Sequence, residues 1–343
     1  MILVIFGAGA SYDSVPSRPL AGFPRERINN RPPLAAELFS SIEFFANCRT
    51  SFPRCQPIVT YLQDIPNGQT VESVLERLQQ EAEDDPERKC QVTAIRYYLQ
   101  TLLRQCQHDW LGITRFGTNY ITLIDQLRRC RKADEPVLLV TFNYDNLIEE
   151  ALTSVNVRIG DLSDYTKHDN FKLYKLHGSL NWGREIQSPT DLKGNGWDLI
   201  NEIIDRAASI EVSEFFRMSD DNPMTKTPQG VPLFPSIAIP VVTKSQFECP
   251  GEHLSSLRHH ADSVTTILTI GWRAGEKHFL ELLKDHLTRK VFVQTVSGNK
   301  KEAEYTVEQI RSAGIDIASD AYDAGFTEYV TRREAEKFLR ATS

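Results

Sequence analysis

Ile2-Leu3-Val4-Ile5-Phe6-Gly7-Ala8-Gly9-Ala10-Ser11 joins an unbroken apolar run to a pair of glycines. Five apolar residues with no polar interruption are what a parallel strand covered on both faces requires. In an open α/β sheet, ligands bind outside the carboxyl ends of the strands. Glycines at that place let the backbone come close to a pyrophosphate, and a helix after them offers N–H groups and the positive end of its dipole. Gly7, Ala8, Gly9, Ala10 and Ser11 are therefore a candidate dinucleotide loop, with Ala10 and Ser11 expected at the helix start. The loop departs from G-x-G-x-x-G in having no third glycine, and no acid follows about twenty residues on at the end of a second strand. That argues against an ordinary dehydrogenase. A tight strand-to-helix turn made of small residues is the simpler alternative.

Similar apolar runs lie at Val137 to Thr141, Phe171 to Leu176, Val264 to Ile270 and Val291 to Val296, with a shorter one at Ile315 to Ala318. Several precede helical periodicity, as at Asp145 to Leu152, Glu276 to Leu287 and Glu302 to Ser312. Strands alternating with helices imply an α/β fold, a Rossmann-like parallel sheet flanked by helices. Between about residues 46 and 134 the strand signal gives way to helical stripes such as Val71, Val74, Leu75, Leu78 and Tyr120, Ile121, Ile124, Leu127. The expected organisation is one nucleotide-binding domain from residues 1–45 and 135–343, with a helical insertion at 46–134. Residues 184–235 are polar and turn-rich, and read as an irregular loop or lid.

Two polar clusters stand where strands should end. Thr141-Phe142-Asn143-Tyr144-Asp145 follows one run and opens a helix, so its side chains face the same crevice. Asn143 can position a water or a ribose hydroxyl, and Asp145 can accept from a carboxamide; helix capping is the alternative for each. Lys175-Leu176-His177-Gly178-Ser179-Leu180-Asn181-Trp182 follows another run. A histidine with an ordinary pKa of about 6.5 suits general-base work at neutral pH, although a structural histidine is the alternative, and Trp182 reads as packing. Gly271-Trp272-Arg273 and Ser297-Gly298-Asn299 follow two further runs, and the loops jointly favour a nucleotide crevice.

The 343 residues are 41% hydrophobic and 25% charged, as in soluble globular proteins, with a formal net charge of −7. An acidic balance argues against direct nucleic-acid binding, which needs a basic face. The one basic cluster, Arg128, Arg129, Arg131 and Lys132, reads as a solvated helix end. Six cysteines without any C-x-x-C pair point to a reducing compartment and no zinc site. The apolar start runs straight into glycines and reads as a strand and not a leader. No run approaches the roughly 18 apolar residues of a membrane helix. A cytoplasmic location is expected, with no membrane partner.

These residues resemble the sirtuin-like proteins, and within them the bacterial NAD-hydrolysing branch of antiphage defence. Gly7 to Ser11 looks like that family's G-A-G-x-S phosphate loop, Thr141 to Asp145 like its T-x-N-x-D segment, and His177-Gly178 like its catalytic pair. The resemblance implies that Asn143, Asp145 and His177 are catalytic. It implies that Gly7 to Ser11, Thr141, Phe142, Gly271, Trp272, Ser297, Gly298 and Asn299 contact NAD+. Protein-deacylating sirtuins resemble the chain less: they carry paired C-x-x-C zinc ligands and a P-D-F-R stretch where this chain reads Ser14 to Arg18 and then Pro19-Leu20. Arg31-Pro32-Pro33-Leu34 is similar to a pattern of the defence branch. The implied activity is hydrolysis of NAD+ to nicotinamide and ADP-ribose, depleting NAD in abortive infection, without zinc. A homo-oligomer, a HerA-like hexameric ATPase or another defence partner is the implied control. An NAD-dependent protein deacylase and a non-catalytic nucleotide-binding scaffold subunit are the alternatives.

Overall fold

A computed structural model of the chain describes residues 1–14, 30–65, 68–221, 223–241 and 247–342. In chain order the elements are β1 (Ile2–Phe6), α1 (Ala8–Tyr12), α2 (Glu43–Thr50), α3 (Gln56–Gln63), α4 (Val71–Glu81), α5 (Pro86–Thr114) and α6 (Asn119–Cys130). There follow β2 (Val137–Thr141), α7 (Leu147–Thr153), α8 (Asp164–Lys167), β3 (Phe171–Lys175), β4 (Gly178–Ser188), α9 (Gly196–Asp205), β5 (Glu211–Met218) and β6 (Leu233–Ile237). The chain closes with α10 (Gly251–Ala261), β7 (Thr266–Ile270), α11 (Lys277–His286), β8 (Val291–Val296), α12 (Lys300–Ser312), β9 (Ile317–Tyr322), α13 (Gly325–Thr331) and α14 (Glu334–Thr342).

The contacts divide the chain into two units. The first comprises Met1–Pro32, Gln107–His177 and Lys244–Ser343. It holds a six-stranded parallel sheet in the order β3-β2-β1-β7-β8-β9. The fold class is thus the α/β, helix-flanked parallel sheet that the apolar runs imply. Leu138, Leu139 and Val140 of β2 and Val4 and Ile5 of β1 are fully buried. Each such side chain contributes about 1.5–3 kcal/mol on leaving water, and polar residues have no face to occupy. Tyr120, Leu123, Ile124 and Leu127 form the buried stripe of α6. The basic cluster ends that helix, with Arg128 and Arg129 paired to Asp125.

The second unit comprises Pro33–Cys106 and Gly178–Thr243. Its antiparallel sheet runs β5-β4-β6, and the α5 side chains Gln100 and Arg104 hydrogen-bond the Leu180 carbonyl at 3.1 and 3.0 Å. Trp182 is fully buried there, edge-on to Phe216, and is core.

Two features differ from expectation. The segment 184–235 is not irregular: it contains the second half of β4, all of α9 and β5, and part of β6. Register shifts between Arg184 and Ile186 and between Ile186 and Ser188 break the two-residue alternation, which hides the strands from a periodicity search. The stripe Leu199, Ile200, Ile203, Ile204 of α9 is buried, just after two glycines, Gly194 and Gly196, that read as turn. The span 46–134 holds helices α2–α6 and no strand among the described residues, yet Gln107 onward groups with the parallel sheet. The cause is hydrogen bonding from α6: Asn119 Nδ2 donates to the Asp13 carbonyl at 3.0 Å and to Thr327 Oγ1 at 2.8 Å. Of the Ser14 to Leu20 stretch, all but Ser14 lies outside the described residues.

Candidate active site

Register aligns the carboxyl ends of the strands. Phe6 pairs with Thr141 on one side and Ile270 on the other, Thr141 with Lys175, and Ile270 with Val296. One residue further, Gly7 donates to the Ile270 carbonyl, Phe142 to Phe6, Leu176 to Thr141, Gly271 to Val296 and Ser297 to Tyr322, all at 2.9–3.1 Å. Five loops therefore leave one edge side by side. Asn143 and His177 each lie two residues past the registered pair Thr141 and Lys175. The chain winds outward from β1 through β2 and β3, and then from β7 through β8 and β9, so the topological switch falls between Gly7 and Gly271.

Backbone meets backbone at that switch. A Cβ on Gly7 would stand 2.5 Å from the Gly271 carbonyl oxygen, and one on Gly271 would stand 2.3 Å from the Ala10 nitrogen. Gly271 has φ +57°, a left-handed conformation in which a side chain is strained. The close approach to another loop accounts for these glycines directly. Helix α1 begins at Ala8, earlier than expected, and spans five residues. The Gly9 amide donates to Gly271 at 3.2 Å and the Ala10 amide to Gly7 at 2.9 Å. A phosphate at this loop would have to compete for both.

Ser11 is the centre of a side-chain network. Its hydroxyl donates to Asp145 Oδ2 at 2.7 Å and accepts from Asn143 Nδ2 at 2.9 Å, and the Tyr120 hydroxyl lies 2.9 Å away. Asn143 Nδ2 also donates to the Gly7 carbonyl at 2.9 Å. Both amide hydrogens of Asn143 thus have acceptors, which fixes the amide orientation and leaves Oδ1 as its acceptor atom. Thr141 Oγ1 accepts from the Asn143 backbone N–H at 3.0 Å and holds the turn. Asp145 Oδ1 accepts from the Leu147 amide at 3.2 Å, at the start of α7, while Oδ2 takes the Ser11 hydroxyl. Burial lifts the Asp145 carboxyl above the usual carboxylate range, against the opposing pull of the Lys175 ammonium.

Beneath this loop, Lys175 has a fully buried side chain. Its ammonium donates to the carbonyls of Tyr144 (3.2 Å) and Asp145 and to Glu149 Oε1 (2.8 Å). Glu149 Oε1 also accepts from Asn146 Nδ2 at 2.8 Å and from the Tyr165 hydroxyl at 3.0 Å. All three contacts fall on Oε1, while Glu149 Oε2 is buried without a hydrogen bond; a buried charge pair of this kind fixes geometry more than it stabilises.

His177 is 1% exposed, its ring tilted against Phe142 with centroids 4.7 Å apart. Phe142 in turn stacks on Trp272 at 5.8 Å and meets Phe279 edge-on at 5.2 Å. Trp272 Nε1 donates to Glu276 at 2.6 Å. Phe142 and Trp272 are buried; Phe142 lies against the histidine and Trp272 backs Phe142. Gly178 beside it has φ +85°, and a Cβ there would reach 2.0 Å from the Ser236 carbonyl oxygen.

On the β8 side, Asn299 Oδ1 caps α12 by accepting from the Glu302 amide at 3.0 Å. Ser297 is buried, and its carbonyl accepts from Gly325 at 2.9 Å. Gly298 faces open space, so nothing steric requires a glycine there. Arg273 pairs with Glu302 at 2.8 Å.

Sequence reasoning missed Tyr120 and Glu149. Tyr120 carried only the signal of an apolar helix position, and its hydroxyl partner is 109 residues away. Glu149 carried a weak one, being one of two acids in the first turn of α7, opposite a lysine at a strand end.

The fold and site define a doubly wound α/β unit whose strand-end loops carry a Ser-Asn-Asp network and a buried histidine. The family description SIR2-like domain matches residues 137–210. This span takes in Asn143, Asp145 and His177, and leaves Gly7 to Ser11, Gly271 and Ser297 to Asn299 outside. No curated protein matches the chain. Among solved structures, a Sir2 homologue mutant in complex with ADP-ribose is 15% identical, covering 99% of this chain and 92% of that one, with a TM-score of 0.41. A Sir2 homologue in complex with NAD is 15% identical over 98% and 90%, with a TM-score of 0.39. A Sir2 bound to acetylated peptide is 11% identical over 99% and 94%, with a TM-score of 0.40.

Among the described residues, no group of three or more His, Cys, Asp or Glu stands close enough to hold a metal ion. No described helix is long and apolar enough to cross a membrane.

Proposed function

We propose that the chain is a sirtuin-like NAD+ glycohydrolase that releases nicotinamide and ADP-ribose, and that it acts by depleting NAD in antiphage defence. The observation that carries the reading is the locked amide of Asn143, held by Ser11 and Gly7, inside the span that matches a SIR2-like domain. NAD+ enters as substrate. The bond between ribose C1′ and the pyridinium nitrogen breaks, its electron pair passes to that nitrogen, and nicotinamide leaves neutral. Water then adds to the oxocarbenium-like C1′ and loses a proton.

Asn143 Oδ1 accepts a hydrogen from the water or the ribose hydroxyl and orients it, His177 receives the proton, and Asp145 holds the carboxamide. Orientation supplies most of the acceleration, since the leaving group needs no protonation. Gly7 to Ser11 would meet the pyrophosphate, and Phe142, Trp272 and Ser297 to Asn299 the rest of the dinucleotide. No zinc takes part in these steps.

Incubation with NAD+ and chromatography of nicotinamide tests the reading. Release that needs an acyl-lysine peptide would make the chain a deacylase, and tight NAD binding without turnover would make it a scaffold subunit. Unrestrained NAD loss would harm the host, so activity is held to an assembly, either a homo-oligomer or a complex with a HerA-like ATPase. Light scattering with parallel activity assays should find the active form larger than one chain; a fully active monomer would contradict this.

A further inference from the structure

We infer that Tyr120 is a positioning residue for the reaction, setting the hydrogen-bond direction through Ser11 that fixes Asn143 and Asp145. The inference rests on the proposed NAD hydrolysis. Tyr120 is fully buried. Its ring is wedged between Phe6, at 5.4 Å, and Phe326, at 5.5 Å, which holds the hydroxyl 2.9 Å from Ser11 Oγ and within hydrogen-bond reach of the Asn143 side chain.

The direction follows from counting. A serine hydroxyl has one hydrogen and two lone pairs. Asn143 Nδ2 is a donor and takes one lone pair. Asp145 Oδ2 accepts and takes the hydrogen. Tyr120 must therefore donate into the remaining lone pair. Burial and the neighbouring Asp145 charge hold the phenol well above its ordinary range, so it keeps the proton it donates. With that donor in place, Ser11 has no free rotor state, and its hydrogen stays on Asp145 while its lone pair stays on Asn143.

The wedge has a fixed base. Asp13 Oδ2 accepts from the Phe326 amide at 2.7 Å, and Asp13 Oδ1 accepts from Thr327 Oγ1 at 2.6 Å. The start of α13 is thereby tied to the end of α1, and Phe326 is held against Tyr120.

Tyr120→Phe keeps both ring contacts and removes only the donor. The expected result is a kcat lower by about tenfold, equivalent to ~1.4 kcal/mol, with KM for NAD+ within about twofold because no substrate contact is lost. In a Ser11→Ala background the same change should cost clearly less than it does alone, since its route through Ser11 is gone and only its direct contact with the Asn143 side chain is left. Tyr329→Phe is the control: it removes a buried hydroxyl bonded to Gln294 at 2.5 Å elsewhere in the same unit, and should leave kcat unchanged.

An unchanged kcat in Tyr120→Phe, or an equal further loss on top of Ser11→Ala, overturns the inference. The Asn143 side-chain amide signal in NMR reads the geometry without turnover. It should shift and exchange faster in Tyr120→Phe and not in Tyr329→Phe; an unmoved signal in Tyr120→Phe overturns the inference even if wild type proves to have no NADase activity. That inactivity, with the signal moved as expected, would sink only the hydrolysis reading.

Discussion

On the β1, β2 and β3 side of the rim, Ser11, Asn143 and Asp145 are joined side chain to side chain, with Lys175 and Glu149 bracing the loop from below. On the β7 and β8 side, contact is made by backbone: Gly271 against Gly7 and Ala10, Ser297 against Gly325, with Asn299 spent on a helix cap. The polar side has fixed acceptors and an acid pushed upward by burial, which is the equipment for chemistry. The backbone side has shape and little titratable content, which is the equipment for holding a ligand's outline. Substitutions should therefore separate into loss of rate at the networked side chains of the first side and loss of stability at the brace beneath them and at the backbone contacts of the second.

The largest contrast is expected from Asn143→Ala and His177→Ala. Each should lower NAD turnover by about a hundred- to ten-thousand-fold, with a cooperative melting transition retained by calorimetry. A full rate in either would break the comparison at its strong end. Lys175→Met tests the brace: it leaves Glu149 buried without its cation and should cost about 3–5 kcal/mol in denaturant unfolding. A loss under ~1 kcal/mol would mean that the pair is solvated and braces nothing.

Next, Gly271→Ala should destabilise by about 1–3 kcal/mol or more, because it combines a left-handed backbone with a blocked approach. Gly298→Ala, in open space, should stay within about 0.5 kcal/mol. Equal effects at the two glycines would remove the argument that the first is held by its neighbours.

The smallest effect concerns pH. Asp145 has a raised pKa in the folded chain, so its contribution to stability is fully present below the ordinary carboxylate range and is lost as pH rises through the raised value. The melting temperature of wild type should fall relative to Asp145→Asn across that window. Parallel curves would show that the carboxyl is not held up by burial.

Much of this was legible in the residues. Runs such as Val137 to Thr141 and Val291 to Val296 announce central parallel strands because burial on both faces leaves no room for a polar residue. Asn143 and Asp145 were legible from position alone, being polar at the end of such a run. Tyr120 was not, because a tyrosine in an amphipathic stripe looks like any other core residue until the chain brings Ser11 to its hydroxyl. The strand at 211–218 was hidden for a different reason: its partner's register shifts leave Ser213 and Phe216 buried three apart, a spacing that belongs to neither period. The glycines of the first loop were legible as necessary, but the direct cause of that need, the carbonyl of Gly271, lies 264 residues along the chain.

The most direct test of the central claim is the yield of nicotinamide and ADP-ribose from NAD+ with no peptide present, measured on the wild-type assembly and on Asn143→Ala. The account predicts equal amounts of the two products from wild type and almost none from the variant. Nicotinamide that appears only with an acyl-lysine peptide, or that appears undiminished from Asn143→Ala, would contradict it.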